Sequence, residues 1–287
     1  MPLITNILFP VDFSASCLAM APYVKRAANL TGARVSLIHV YDPASYNGFE
    51  IYLRPIREIA AEHQLVARDK LAQFLQDEFP VPDHPRILVA GDAATEIAEA
   101  AKHGFDLIVM PTHAGRFRRM LLGSTTAKVL NDADIPVLTS EHAETIAPRP
   151  LEHREWLCSI GLNADSERVL RYAQRAAKEI GANFSIIHAI QAHDPDLPVQ
   201  LDLEQKFHSA EREQARQLIA ELQRKVGSEA PVHITVGSVK MALLDAVRRF
   251  DADALIIGRS PQPGTNGRLR DLTYAIVRDS PFPVLSV

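Results

Sequence analysis

The sequence predicts an α/β protein made of two tandem, doubly wound, five-stranded parallel-sheet domains of Rossmann-like type. Three observations predict it. The chain has 287 residues, 47% hydrophobic and 23% charged, enough for two compact units at roughly 150 residues each. Shifted against itself by 149 positions, the stretch 11–40 overlies 160–189 without a gap, with identical pairs that include Tyr23/Tyr172, Arg26/Arg175, Gly32/Gly181, Ser36/Ser185 and His39/His188. Within each half, short apolar runs alternate with longer segments of helical period, the pattern of a parallel sheet wrapped by helices.

In the first half the strands are predicted at 5–10, 34–40, 86–90, 106–110 and 136–140. Ile7-Leu8-Phe9 and Leu107-Ile108-Val109-Met110 are unbroken apolar runs, as strands covered on both faces require. The intervening helices are predicted at 16–30, 55–78, 93–103 and 124–132. The first takes Ser14 or Ser16 as its N-cap and stops at Gly32, a residue free to adopt the left-handed conformation that ends helices. Pro22 would remove a hydrogen bond near the second turn, which predicts a kink or a late start.

The second half repeats this order, with strands at 156–161, 183–189, 231–236, 253–258 and 283–287 and helices at 166–180, 202–226, 239–250 and 271–279. Near the ends of the halves the shift becomes 147, placing Asp106 on Asp253 and Pro136-Val137-Leu138 on Pro283-Val284-Leu285. A proline-containing stretch of mixed charge at 141–153 reads as a linker between domains 1–140 and 154–287. Both halves end on a Pro-Val-Leu strand, and pairing of those two edges would make the chain an internal pseudo-dimer. A homodimer is left open.

Lys and Arg total 31 against 35 Asp and Glu, a formal charge of -4. That balance lacks the basic footprint of a dedicated nucleic-acid binder or a polybasic membrane anchor, and no run approaches the ~20 apolar residues of a bilayer span. Cys17 and Cys158 are too few for a disulfide framework or a four-thiolate zinc site. They fit a reducing compartment, and with no secretory signal in the first residues the expected location is cytoplasmic.

In an open parallel sheet the ligand crevice lies beyond the carboxyl ends of the strands, where strand order reverses. Two segments reach that place. Pro10, Val11, Asp12, Phe13 and Ser14 follow the first strand, and the stretch from Met110 to Thr125 follows the fourth. The latter carries Pro111, Thr112, His113, Ala114, Gly115 and the three arginines Arg116, Arg118 and Arg119, then Gly123-Ser124-Thr125 at a predicted helix start. Unpaired helix-start amides, a hydroxyl and positive charge would converge there on one anion, and a phosphate fits. Taken singly, each residue has a plainer role: Gly123-Ser124 as turn and cap, the arginines as a solvated face, and Asp12 as a cap. His39 and His188 read as packing residues with one ring nitrogen satisfied.

A strand ending in Pro-Val-Asp, a strand ending in His-Val, then Asp-Leu-Ile-Val-Met-x-Thr-His, a Gly-Ser step and a closing Ile-Pro-Val-Leu resemble the universal stress protein family. The likeness covers nearly all of both halves and implies a tandem member with the fold of the adenine nucleotide alpha hydrolase-like proteins. It implies a stress-response regulator that binds ATP or ADP, with magnesium accompanying the phosphates, and presents a surface to an unknown protein partner. By the same resemblance Asp12 meets the adenine and ribose side, Val40 the adenine, and Gly123 and Ser124 the phosphates. Pro10, Val11, Met110, Thr112, His113, Gly115, Arg116 and Thr125 complete the predicted set.

The departures from the family pattern Gly-x2-Gly-x9-Gly-Ser/Thr are specific. Pro111 replaces the first glycine and has neither an amide donor nor a positive φ. Ala114 replaces the second, and seven residues separate Gly115 from Gly123. Each lost hydrogen bond to an ionised oxygen costs roughly 1.5–3 kcal/mol, about one to two decades of affinity. In the second half Asp12 falls on Gly161 and Gly123-Ser124 on Arg270-Asp271, so that half is expected not to bind a triphosphate.

A nucleotide-independent scaffold is the alternative function. An enzyme is a third class, but the sequence has no Gly-x4-Gly-Lys-Ser/Thr loop and no Gly-x-Ser-x-Gly elbow. His113 and Ser124 lack a third residue to complete a triad.

Overall fold

The computed structural model describes residues 2–42, 56–112, 122–191, 201–259 and 268–287. The chain divides into two compact units, Met1–Pro148 and Arg149–Val287.

The first unit holds strands β1 (Asn6–Pro10), β2 (Arg34–Tyr41), β3 (Arg86–Ala90), β4 (Leu107–Pro111) and β5 (Val137–Ser140), and helices α1 (Ala15–Thr31), α2 (Ile56–Gln73), α3 (Ala93–Ala101) and α4 (Ser124–Asp132). Its strands run parallel in the order β3-β2-β1-β4-β5. Order reverses between β1 and β4, in register at Ile7↔Leu107 and Leu8↔Ile108. Ile7, Leu8, Phe9, Ile108 and Val109 are fully buried, which explains why their runs are apolar without alternation. Each such side chain contributes roughly 1.5–3 kcal/mol on leaving water.

Most boundaries fall within a residue or two of the sequence expectation, and two departures in the first unit have a clear physical cause. Helix α1 starts at Ala15 despite Pro22, because Ser14 caps it by accepting from the Cys17 amide at 3.3 Å. The acceptor that Pro22 leaves idle is the carbonyl of Leu18, a residue on the exposed side of the helix, where water can take the bond. Helix α2 ends at Gln73, five residues short of the expected 78. Leu75 turns left-handed with φ 52, Phe79 donates its amide back to Leu75 at 2.8 Å, and the Arg86 guanidinium collects the released carbonyls of Leu71, Phe74 and Phe79 at 3.0, 3.2 and 2.7 Å. A buried helix end needs such partners.

The second unit holds β6 (Glu155–Ser159), α5 (Ser166–Ile180), β7 (Asn183–Gln191), α6 (Leu201–Val226), β8 (Val232–Gly237), α7 (Val239–Arg249), β9 (Ala254–Ile257), α8 (Arg268–Asp279) and β10 (Val284–Ser286). Its parallel order β10-β9-β6-β7-β8 is that of the first unit. The repeat extends to backbone detail. Gly32 and Gly181 end equivalent helices at φ 70 and 68, and Phe13 and Leu162 are equivalent non-glycine residues at φ 64 and 53. His39 Nδ1 donates to the Val11 carbonyl at 2.7 Å, and His188 Nδ1 to that of Ile160 at 2.9 Å. Both histidines tie a strand end to the loop that follows the neighbouring strand, which is the packing role expected of them.

Candidate functional site

At the crevice between β1 and β4 the first unit contains a cavity of about 160 Å³. Eight of the sequence-predicted residues line it: Pro10, Val11, Asp12, Val40, Met110, Gly123, Ser124 and Thr125. Strand alternation explains the apolar wall, since Ile38 and Val40 share a face of β2 while His39 points the other way. His39 lies against the Phe13 ring at 4.3 Å and borders a separate cavity of about 310 Å³ with Phe13, Ile59, Glu62, His63 and Lys70.

The far wall is the start of α4. Gly123 occupies the N-cap position, without a side chain to bond the helix-start amides, so those of Ser124, Thr125 and Thr126 precede the first intrahelical acceptor. The position is fixed from both sides. The Gly123 amide donates to the Thr112 carbonyl at 2.9 Å, and the Thr126 hydroxyl donates to the Pro111 carbonyl at 3.0 Å. Gly123 has φ -57, which any residue can adopt, so what glycine supplies here is the missing side chain. The positive end of the helix dipole adds to the attraction for an anion.

Asp12 lines the same cavity. Its Oδ1 accepts from the Ser14 amide at 3.0 Å and from the Cys17 thiol at 3.0 Å. The helix cap is therefore Ser14, and Asp12 sits one turn outside α1. Burial pushes the Asp12 carboxyl up, but hydrogen bonding by Ser14 and Cys17 outweighs it and holds the group below its ordinary 3.8. Burial and the Asp12 carboxylate together push the Cys17 thiol up to about 12, so it stays a protonated donor at neutral pH. The site thus offers an acceptor-only carboxylate, an apolar slot and a row of amide donors, a set matched to a ligand with a flat body, hydroxyl or amino donors and an anionic end.

Thr112 is buried and is not among the residues that line the cavity, its carbonyl committed to Gly123. His113, Gly115 and Arg116, with Ala114, Arg118 and Arg119, lie outside the described residues. Cys17, Ile38, Ala93, Ile97 and Thr126 also line the cavity and lie outside the set predicted from sequence. Ala93 and Ile97 were within reach of the rule that located the rest, since they open the helix after β3, and a spacing of four puts them on one face.

The corresponding place in the second unit is built differently. Gly161 stands where the first unit has Asp12, Asn163 where it has Ser14, and Ser166 where it has Cys17. Ser166 and Asn163 bond each other, with the Asn163 amide donating to Ser166 Oγ at 2.9 Å. A Cβ at Gly161 would lie 3.3 Å from the Asn163 side chain, and one at Gly258 would lie 3.0 Å from Val169. By the 147 shift the start of α4 at Ser124 falls on Asp271, yet α8 begins at Arg268, three residues earlier. The backbone that opens a helix in the first unit is therefore already inside one here.

Among the described residues no group of three or more His, Cys, Asp or Glu could hold a metal ion, and no helix is long and apolar enough to cross a membrane.

The universal stress protein family model matches twice, at residues 4–140 and 157–287. A universal stress protein of Thermus aquaticus, described as encoded in the QAH/OAS sulfhydrylase 3′ region, is 32% identical over 136 residues, 46% of this chain and 96% of that protein. Among solved structures, a universal stress protein from Archaeoglobus fulgidus is similar over 98% of this chain and 97% of its own, with TM-score 0.69 and 22% identity. One from Pseudomonas aeruginosa covers 99% of this chain and 93% of its own, at TM-score 0.64 and 18% identity. With the family pattern matched across both units and the fold shared end to end, the chain belongs to the universal stress protein family, as a tandem member with two family domains.

Proposed function

We propose that the first unit binds an adenine nucleotide, ATP or ADP, and that occupancy alters the surface the protein shows to a protein partner in a cytoplasmic stress response. One observation carries this reading: Asp12 and the uncapped start of α4 line one cavity together with the apolar residues Ile38, Val40 and Ile97. In this arrangement Val40, Ile38 and Ile97 hold the base, and Asp12 accepts from hydroxyl or amino donors of the nucleoside. The Ser124 hydroxyl and the amides of Ser124 and Thr125 receive a phosphate. Among the described residues lining the cavity Asp12 is the one acid, so magnesium would come bound to the phosphates and keep most of its waters. In the second unit Gly161 and the earlier start of α8 remove both ends of the site, and its role in the proposal is structural.

Pro111 favours a second reading, a nucleotide-independent scaffold. It is the last residue of β4, paired with Ser140, and supplies no amide where the family pattern has a glycine. Denaturing freshly purified protein and analysing the supernatant by mass spectrometry separates the two. Adenine nucleotide released from the wild type and not from a Gly123→Val/Ser124→Ala variant supports the regulator. No nucleotide, together with no heat of binding at millimolar ATP, supports the scaffold.

A further inference from the structure

We propose that Cys17 is a positioning residue of the first unit's site, whose thiol locks one oxygen of Asp12 and so presents the other to the ligand. The proposal rests on the nucleotide reading and deepens it.

Asp12, Ser14 and Cys17 form a closed ring of hydrogen bonds. The Ser14 amide donates to Asp12 Oδ1 at 3.0 Å, the Cys17 amide to Ser14 Oγ at 3.3 Å, and the Cys17 thiol to Asp12 Oδ1 at 3.0 Å. The thiol also lies 3.8 Å from the Pro10 carbonyl, but it has one proton and the nearer, charged acceptor takes it. Two donors fill the lone pairs of Oδ1, which leaves Oδ2 as the oxygen able to accept from a bound molecule. The last torsion of an aspartate is broad and nearly two-fold. Without the thiol the carboxylate would be held from the Ser14 side only, and its oxygens would exchange more readily.

Cys17 is buried at 2% exposure in the first turn of α1 and lines the same cavity as Asp12. It is therefore placed to act on the carboxylate without meeting the bulk of the ligand. The second unit has lost the pair as a pair: Gly161 replaces the carboxylate, and the Ser166 hydroxyl that replaces the thiol turns to Asn163 instead.

The test combines calorimetric ATP titration of Cys17→Ala, Cys17→Ser, Asp12→Ala and the Asp12→Ala/Cys17→Ala double variant with NMR titration of the Asp12 carboxyl. Cys17→Ala is expected to weaken ATP binding about five- to tenfold, since a thiol is a weak donor to a charged acceptor. Cys17→Ser, which keeps a donor, is expected to return affinity to within about twofold. In the Asp12→Ala background the cysteine change should have no further effect, and the Asp12 pKa should rise in Cys17→Ala. Equal losses in Cys17→Ala and Cys17→Ser, or the same loss with Asp12 absent, would show that Cys17 only fills space and would overturn the proposal. Wild-type protein that binds no ATP overturns the nucleotide reading and with it this role for Cys17, even if the Asp12 titration still responds to Cys17→Ala.

Discussion

The first and second units share the devices that hold the fold and differ in the groups that could hold a ligand. At the junction after the first strand of each, a non-glycine residue sits in the left-handed region, Phe13 or Leu162. In each, a histidine from the next strand donates to the carbonyl two residues before it. These features position the loop whatever follows. The residues that line the first unit's cavity are separate from them, Asp12 and Cys17, with Gly161 and Ser166 at the equivalent positions of the second. One unit can therefore lose its crevice chemistry without losing its architecture, because the two tasks fall to different residues on the same few turns of chain.

The helix that closes the crevice makes the same point with backbone alone. Helices α4 and α8 occupy equivalent places, but α8 begins three residues earlier relative to the repeat. The change is invisible to hydrophobic pattern, yet it buries in regular helix the amides that the first unit leaves open.

The largest expected effect is at that helix start. Gly123→Val puts a branched side chain into the cavity wall, and ATP affinity measured by calorimetry should fall at least ~100-fold, the loss of two charged hydrogen bonds. Far-ultraviolet circular dichroism should be unchanged. Next, Asp12→Ala should weaken ATP binding about tenfold or more. The reciprocal graft, Gly161→Asp, should create no binding in the second unit, because the carboxylate returns without the helix start and crowds Asn163. Binding gained from that single change would break the comparison.

The shared devices give a smaller and more symmetrical result. His39→Ala and His188→Ala should each lower unfolding free energy in urea by about 1–3 kcal/mol, since each leaves a backbone carbonyl without its donor. Markedly unequal losses would show that the repeat is not energetically a repeat at this point.

The smallest effect is confined to the second unit. Asp279 is held at about 2 by hydrogen bonding to Arg278, against some burial and with help from Lys240. Its folded pKa lies below the unfolded value, so its contribution is complete above roughly pH 4 and is lost as pH falls toward 2. The ion pair is partly exposed and its effect is modest. Asp279→Asn should lower the urea midpoint slightly at pH 7 and cease to differ from wild type near pH 2.

Much of this was legible before any coordinates. Strand positions followed from apolar runs such as Ile7-Leu8-Phe9, because burial on both faces leaves a mark that needs no tertiary knowledge. The crevice followed from strand order, and it gathers eight of the predicted residues. What the sequence concealed was set by contacts that no motif marks. The end of α2 depends on Leu75 turning left-handed and on Arg86, a residue from the next strand, reaching back to its carbonyls. The start of α1 at Ala15 was half legible, since Ser14 was one of the two caps the sequence offered, and the cap holds with Pro22 inside the helix. Cys17 has no motif of its own, and its contact with Asp12 exists only because the Ser14 cap folds the first turn of α1 back over the strand end.

The number of ATP molecules bound per chain, measured by isothermal titration calorimetry on the intact protein and on Gly123→Val, tests the central claim most directly. One per chain in the wild type and none in the variant is the expected result. Two per chain, none in the wild type, or one that persists in Gly123→Val would contradict it.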